Sequence, residues 1–315
     1  MRTYTRRIIL ATTVALSFAA APHAFAEDKI LTSVPGLTFP FFVHMMKAFK
    51  AEAEKEGMGV IESDGQVSSP KQTADIEAAI TQGVKGIVIS PNEVDAMAPA
   101  LKQAVDAGIP VVTVDRRVAQ VEGILAHIGA DNVKGGEAQG NLIVKMFPAG
   151  ASIINLQGQS GASPAIDRNK GLHNVLDAAK DKYKIVFEQT AGFDRAKGLS
   201  VTEAALAGMA EPPKVIVAAN DDMALGAMEA VKARNLKDIV IIGFDALPEA
   251  LAQVRDGGLT ATIEQFPGKQ SAMGVQTLVA FIKTGKKPEK NLILLTPIAI
   301  TKDNLKEAER LGEVK

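Results

Sequence analysis

The sequence predicts an α/β protein made of two similar doubly wound lobes with a ligand cleft between them. First, short apolar runs alternate with amphipathic helical patterns along most of the chain, which is typical of βαβ units and parallel sheets. Second, the segments 85–115 and 214–245 share one plan: strand, polar turn, helix, strand and a final aspartate. Third, 315 residues exceed the size that a single hydrophobic core usually serves. Two related lobes explain all three observations.

The predicted strands are short runs rich in valine and isoleucine. Their apolar character is nearly continuous, which indicates strands buried on both faces of a sheet. Helical patterns such as 73–83 and 221–235 lie between them. The predicted strands are 30–34, 59–63, 86–90, 110–114, 151–157, 184–189, 214–219, 238–244 and a final one within 260–266.

The N-terminus has the layout of a secretory signal peptide. Arg2, Arg6 and Arg7 precede an apolar run over 8–20, and the small residues of "AFA" at 24–26 suit cleavage after Ala26. The run is too short to be a stable membrane anchor. We therefore predict that residues 1–26 are a signal peptide and that the mature protein lies in the periplasm, with general secretion favoured and twin-arginine export left open.

Charge and composition exclude several classes of function. The formal net charge is −1, so the chain lacks the basic field that nucleic-acid binding requires. The absence of cysteine excludes thiol catalysis and thiolate metal ligands. The histidines show no metal-ligand spacing. We therefore expect no metal, no cofactor and no nucleic-acid partner.

Enzyme motifs are incomplete. The segment "GQSGAS" approaches a nucleophile elbow, but Ala162 stands where the motif needs glycine. Neither a dinucleotide fingerprint nor a phosphate loop is present. We predict a protein that is not an enzyme. A secreted enzyme acting on sugars through Asp115 and Asp245 remains the alternative.

The candidate site residues follow the predicted strands, and ligands of open parallel sheets bind beyond the carboxyl ends of the strands. Nearly all are either phenylalanines or planar polar side chains. They are Phe39, Phe41 and Phe42 after the first strand, then Asp115, Arg116, Arg168, Phe193, Asn220, Phe244, Asp245 and Gln265.

This combination of side chains suits a sugar ring. Carboxylates, amides and guanidinium groups can each bond two neighbouring hydroxyls, while phenylalanine offers a flat apolar face to C–H groups. Each residue also has a plainer interpretation: Asp115 and Asp245 suit turns or helix caps, and at least one phenylalanine is expected to pack in the core. We expect Phe42 to be that core residue and Phe41 to meet the ligand.

The chain resembles the periplasmic sugar-binding proteins of the ribose-binding type, which deliver monosaccharides to ABC importers. The resemblance covers the chain from about Asp28 to its end. It is carried by the segments "FPFF", "GIPVVTVDR", "GADNVKGGEAQG", "DRNKG", "GFDRAKG", "VIVAANDDMALGA", "VIIGFD" and "ATIEQFP".

The resemblance implies roles for individual residues. Phe41 and Phe193 would sandwich the ring, with Phe42 and Phe244 nearby. The hydroxyl-binding residues would be Asp115, Arg116, Arg168, Asn220, Asp245 and Gln265.

It also implies the lobe boundaries. Three crossovers near 129–131, 265–266 and 292–296 would form a hinge. They would join an N-terminal lobe of 27–130 plus 266–293 to a C-terminal lobe of 131–265 plus 294–315. The expected partners are a monosaccharide and the importer's membrane subunits, and the expected state is a monomer.

Three departures bear on the ligand. The ribose binder of this family has asparagine where this chain has Phe39 and Ser90, and serine where it has Pro35. Losing amide partners leaves ribose hydroxyls unpaired in a closed site, which is costly. Ser90 and Phe39 are therefore candidate site residues, and we expect another pentose, a hexose or a deoxyhexose. A polyol, a signalling ligand or a chemoreceptor partner is the alternative. A repressor-type sugar sensor is disfavoured, because the chain begins with a signal peptide pattern instead of a helix-turn-helix.

Overall fold

A computed structural model describes residues 28–315, so the predicted signal peptide lies outside the described residues. The strands are β1 (Lys29–Val34), β2 (Gly59–Asp64), β3 (Gly86–Ile89), β4 (Val111–Val114), β5 (Ala126–Ala130), β6 (Ala151–Gln157), β7 (Tyr183–Thr190), β8 (Val215–Ala218), β9 (Val240–Ile242), β10 (Thr262–Glu264), β11 (Leu292–Leu295) and β12 (Ile298–Ile300). The α-helices are α1 (Pro40–Lys55), α2 (Ser69–Thr81), α3 (Ala98–Asp106), α4 (Asn132–Met146), α5 (Ser163–Leu176), α6 (Arg195–Ala207), α7 (Asp221–Ala233), α8 (Pro248–Asp256) and α9 (Pro267–Thr284). Short 3-10 helices span Asp177–Ala179, Lys302–Glu307 and Leu311–Glu313.

The strands form two parallel sheets, each the centre of one lobe. One sheet has the order β11-β5-β4-β3-β1-β2, and the other has the order β7-β6-β8-β9. Every pairing within these two sheets is parallel. The predicted doubly wound α/β fold is therefore confirmed.

Burial on both faces explains why the strands read as continuous apolar runs. In β3, Ile87 and Ile89 pack into one hydrophobic cluster while Val88 packs into another. The same alternation occurs in β8, where Val215 and Ile216 belong to different clusters. Because successive side chains point to opposite faces, a strand covered by helices on both faces is apolar at most of its positions.

Three strands were not predicted as such: β5, β11 and β12. The β5 sequence "AHIGA" contains a histidine and a glycine, and β12 has only three residues, so neither shows a long apolar run. β12 also pairs antiparallel with β10, and this pair joins the second sheet through a bridge between Ile242 and Ala261. Only parallel sheets were predicted from the sequence, so the prediction did not include this antiparallel pair.

The chain passes between the two sheets three times. The passes follow β5, β10 and β11, at 130–132, 264–267 and 295–298. At the second pass, Phe266 adopts a left-handed backbone conformation with φ 60°. Within residues 28–315 we find no helix long and apolar enough to cross a membrane.

Candidate ligand-binding site

The carboxyl ends of both sheets border one cleft with about 340 Å³ of space outside the protein atoms. Residues from both lobes and from the second pass between them line it. They are Phe39, Phe41, Phe42, Asp115, Arg116, Pro164, Arg168, Phe193, Asn220, Asp222, Asp245 and Gln265.

The phenylalanine cluster sits where β1 gives way to α1. Phe39 has an extended backbone at the N-cap, and Pro40 begins the helix, where its missing N–H costs no hydrogen bond. Phe41 and Phe42 follow in the first turn with ring centroids 5.2 Å apart and an interplanar angle of 80°. This edge-to-face packing holds the Phe41 ring, which is 6% exposed, at the wall of the cleft.

Asp115 and Arg116 directly follow β4. Asp115 has φ 62°, and its Oδ2 accepts a hydrogen bond of 3.0 Å from the Ser90 hydroxyl. Arg116 donates through Nη1 to the Asn92 carbonyl at 2.8 Å, and its Nε lies 4.0 Å from Asp115 Oδ2. Both residues are buried and line the cleft.

Arg168 projects from α5 and is held by several groups of its own lobe. Its Nε donates to Asn132 Oδ1 at 2.8 Å, and its Nη1 donates to the Ala219 carbonyl at 2.6 Å. Nη1 also lies 3.4 Å from Asp245 Oδ1. The guanidinium carbon lies 3.6 Å from the centroid of the Phe244 ring, a close cation–π contact.

Asp245 lies in a strained turn after β9. It has φ 110° and Ala246 has φ 48°, conformations that non-glycine residues adopt only when the surroundings enforce them. The buried Asp221 carboxylate is part of that enforcement, because it accepts a hydrogen bond of 2.8 Å from the Leu247 N–H. Gln265 Nε2 donates to Asp245 Oδ1 at 2.6 Å and so links the turn to the second interlobe pass.

Phe193 and Asn220 complete the wall of the second lobe. Phe193 has φ 64° and is 6% exposed. A Cβ at Gly158 would lie 2.2 Å from the Phe193 ring, so glycine is required there for the ring to fit. Asn220 caps α7 by accepting from the Met223 N–H at 3.0 Å and donates to the Phe193 carbonyl at 3.2 Å. Asn220 therefore both caps α7 and lines the cleft.

Burial dominates the electrostatics of the cleft. It raises the pKa of Asp245 to about 7, although the Arg168 charge opposes the shift. Burial likewise raises the pKa of Asp115, against the charge of Arg116. It lowers the pKa of Arg116 to about 10. Because Asp115 and Asp245 lie among Arg116 and Arg168, and Asp222 pairs with Arg195, the cleft favours neutral ligands that both donate and accept hydrogen bonds.

Two buried polar atoms of cleft residues have hydrogen-bonding capacity that no other described residue uses. They are Arg116 Nε, a donor, and Gln265 Oε1, an acceptor. Buried polar atoms usually have a partner. A hydroxyl group can serve either atom, because it donates and accepts.

Comparison with known proteins matches this architecture. The sequence profile of the family described as "Periplasmic binding protein domain" matches residues 30–287. The chain belongs to this family.

Its curated relatives include ribose-binding members of this family. The ribose import binding protein of Escherichia coli (strain K12) is 37% identical over 281 residues, covering 89% of this chain and 94% of that protein. The ribose import binding protein of Bacillus subtilis (strain 168) is 41% identical, covering 84% and 85% of the two chains. The relatives are binding proteins of the sugar-import type, in line with the resemblance seen in the sequence.

A solved structure is equally similar. The Caulobacter myo-inositol binding protein, bound to myo-inositol, has a TM-score of 0.89 and 41% identity, covering 92% of this chain and 98% of that chain. The periplasmic binding protein of an arabinose ABC transporter from Shewanella sp. ANA-3 has a TM-score of 0.83 and 32% identity, covering 88% and 93%. The ligands of these neighbours are therefore diverse within the sugar and polyol class.

Side chains of this periplasmic binding protein also bond from one lobe to the other. Arg117 forms a two-pronged ion pair with Asp167, at 2.6 and 3.0 Å. Gln159 accepts from Arg116 Nη1 and donates to Asn92 Oδ1, both at 3.1 Å. These contacts join residues of the two lobes directly.

Most of the predicted site residues come together in the structure. All of them line the cleft except Ser90 and Phe244, which lie directly behind Asp115 and Arg168. Phe41 and Phe42 pack in the same hydrophobic cluster and both border the cleft, so the expected division between a core ring and a ligand ring stays a prediction. The guanidinium carbon of Arg116 lies 5.2 Å from the centroid of the Phe42 ring.

Pro164 and Asp222 line the cleft and were not predicted. Both stand in the first turn of a helix that follows a strand end, at α5 and α7. An acid in the first turn of a helix suits the helix dipole, so Asp222 does not stand out in the sequence as a site residue. Its spacing, two residues after Asn220, was the signal available.

Proposed function

We propose that this protein is a periplasmic substrate-binding protein that captures a monosaccharide-sized polyhydroxylated ring and delivers it to an ABC importer. The observation that carries the proposal is the composition of the cleft. Phe41 and Phe193 supply apolar walls, and buried acids, amides and arginines supply the polar groups between them. Such a lining complements a ring that is apolar on its faces and hydroxylated around its rim.

Within that class, the cleft favours a cyclitol such as myo-inositol. Asp115 and Asp245 accept hydrogen bonds when ionised, and Gln265 Oε1 is a further acceptor without a partner among the described residues. A cyclitol has a hydroxyl donor at every ring position, whereas a pyranose has an ether oxygen at one. Two solved neighbours hold myo-inositol. A pentose, a hexose or a deoxyhexose is the second candidate, supported by the relatives that bind ribose and arabinose.

The mechanism is capture by closure. The ligand enters between the open lobes, and contacts to both lobes at once favour the closed state. Asp115 and Arg116 contribute from one lobe, and Arg168 and Asp245 from the other. The importer's membrane subunits then recognise the closed form. In this proposal the protein works as an exported monomer, performs no catalysis and needs no cofactor.

Thermal unfolding of residues 27–315, refolded to remove carried-over ligand, tests the function. The panel contains myo-inositol, ribose, arabinose, allose, a deoxyhexose and a linear polyol. A ligand at about 100 times its Kd stabilises the folded state by roughly 2.7 kcal/mol. This raises the Tm by several degrees in a chain of this size, since ~1 kcal/mol corresponds to roughly 2–4 °C. We expect the largest shift with myo-inositol.

The outcomes separate the candidates. If a pentose or hexose gives the largest shift, the cyclitol preference is wrong and the sugar-capture proposal stands. If no panel member moves the Tm, the proposed function is wrong and only the fold is shared with the relatives. Product analysis after incubation checks the enzyme alternative, for which a chemically altered sugar would be required.

A further inference from the structure

Asp222 is a carboxylate of the cleft that neither the strand-end pattern nor the family resemblance assigned to the ligand. It occupies the first turn of α7, two residues after the cap Asn220. It is 6% exposed and lines the same cleft as Phe41 and Asp245. A buried carboxylate at the wall of a ligand cleft requires a reason, because burial of a charge is costly unless hydrogen bonds compensate for it.

Only half of the Asp222 carboxylate is used by the protein. Its Oδ1 accepts a hydrogen bond of 3.3 Å from Arg195 Nη2. Within the range 28–315, no side chain and no backbone N–H donates a hydrogen bond to its Oδ2. Burial raises the pKa of Asp222, with Arg195 opposing the shift, as expected for a carboxylate that is incompletely compensated.

Arg195 sets the orientation of Asp222 from outside the cleft. The same guanidinium makes hydrogen bonds of 2.9 and 2.6 Å to the two oxygens of Glu249 on α8. Glu249 is exposed and does not line the cleft. Glu249 thus holds Arg195 in place, and Arg195 fixes Oδ1 of Asp222. The Oδ2 atom of Asp222 remains available to a ligand.

We propose that Asp222 is a specificity-determining ligand contact whose Oδ2 accepts a hydrogen bond from one ring hydroxyl. This rests on the proposed capture of a polyhydroxylated ring and sharpens its ligand class. The ring position that faces α7 must carry a hydroxyl donor. A ligand with an ether oxygen, a methyl group or hydrogen at that position would cover this acceptor without pairing with it and is rejected.

Asp222→Asn tests the contact directly. Asparagine keeps the shape and a carbonyl oxygen for Arg195, but it replaces one carboxylate oxygen by an NH₂ donor. Isothermal titration calorimetry measures the Kd of myo-inositol and of its monodeoxy analogues for wild type and variant. If another panel member binds best, its monodeoxy analogues are used instead. We expect Asp222→Asn to weaken binding of the parent ligand by roughly 10–100-fold, the range of a hydrogen bond to a charged group.

The analogue series distinguishes contact from a structural role. One analogue, lacking the hydroxyl that faces Asp222, should bind wild type and Asp222→Asn with the same Kd, while the other analogues lose affinity in the variant. Glu249→Gln is the matched control, since it perturbs Arg195 without touching the cleft. We expect it to change the Kd less than about threefold, as removal of an exposed pair does.

Two results would overturn the inference. One is an unchanged Kd for the parent ligand in Asp222→Asn. The other is a parallel loss of affinity for all analogues, which would mean that Asp222 acts only through the shape of the lobe. Failure of the proposed function looks different, because wild type itself would then bind no panel member. The Tm of each variant without ligand checks that it is folded.

Discussion

The two arginines of the cleft differ in how they are held. Among residues 28–315, the side-chain contacts of Arg168 lie within its own lobe: Asn132, the Ala219 carbonyl, Asp245 and the faces of Phe244 and Phe193. Arg116 bonds to the Asn92 carbonyl of its own lobe, but it also bonds to Gln159 of the opposite lobe. Its Nε has no hydrogen-bond partner among the described residues.

In the proposed mechanism of capture by closure, this difference means that one half of the site is assembled before closure and the other half is completed by it. Opening of the lobes leaves every Arg168 contact intact, whereas it breaks the hydrogen bond between Arg116 and Gln159. A preassembled group adds affinity with little ordering cost. We therefore expect the ligand to bind first to the lobe of Arg168, with Arg116 joining as the lobes close.

The largest expected loss of ligand affinity comes from removing Arg168, whose side-chain contacts among the described residues all lie within one lobe. Arg168→Met should weaken ligand binding by at least about 100-fold, because a charged fork makes hydrogen bonds worth roughly 1.5–3 kcal/mol each. It should also lower the Tm, because Asp245 is left buried without its cation. Calorimetric titration and thermal unfolding measure the two effects. Lys170→Met, an exposed change on the same helix, is the control, and equal losses in both variants would contradict the role given to Arg168.

A smaller loss of ligand affinity is expected from removing Gln159, which bonds to Arg116 and Asn92 of the opposite lobe. Gln159→Ala removes two hydrogen bonds across the cleft. It should weaken binding by about tenfold, since each such bond contributes roughly 0.5–1.5 kcal/mol. Because the change acts on closure, the factor should be the same for strong and weak ligands. Gln189→Ala, an exposed position on β7 of the same lobe, is the control. A loss confined to one ligand would show that Gln159 contacts the ligand instead.

The smallest effect is a pH dependence from Asp245. Its pKa is raised from 3.8 to about 7 in the folded protein, so the folded state holds the proton more tightly than the unfolded chain. The stability contribution of this proton is complete below about pH 4 and is lost as the pH rises through 7. Between pH 5 and 8, the Tm of the ligand-free wild type should therefore fall by a few degrees more than the Tm of Asp245→Asn. This uses a conversion of roughly 2–4 °C per kcal/mol of stability.

Thermal unfolding of both proteins across that pH range measures the slope. Asparagine at 245 cannot titrate, so any constant cost of the substitution cancels in the comparison of slopes. Asp303→Asn, an exposed carboxyl in a 3-10 helix, provides the control and should parallel wild type. Parallel slopes for wild type and Asp245→Asn would show that the Asp245 carboxyl is not shifted.

The strand-end rule explains why much of the site was accessible from the sequence. Asp115, Asn220 and Asp245 each follow a valine- or isoleucine-rich run, and parallel strands carry their carboxyl ends to one edge. The sequence could not reveal which of these side chains face the cleft. Ser90 and Phe244 also follow strands, yet packing places them behind Asp115 and Arg168.

The features that could not be predicted from the sequence depend on strand pairing and on contacts between residues far apart in the chain. β12 forms only because β10 offers an antiparallel edge after the third pass between the lobes. The Arg117–Asp167 ion pair joins residues 50 positions apart, and no local pattern encodes it. Asp222 was hidden for a different reason, since a helix dipole already accounts for an acid in the first turn.

The left-handed backbone at Asp115, Phe193 and Asp245 limits how this binding site can evolve or be redesigned. β-branched side chains are strained there, so these positions are poor places for new specificity. Phe39, Pro164 and Asp222 do not have a positive φ, and they border the same cleft. Changes of ligand preference between related proteins should therefore accumulate at the latter positions, while the former retain their identity.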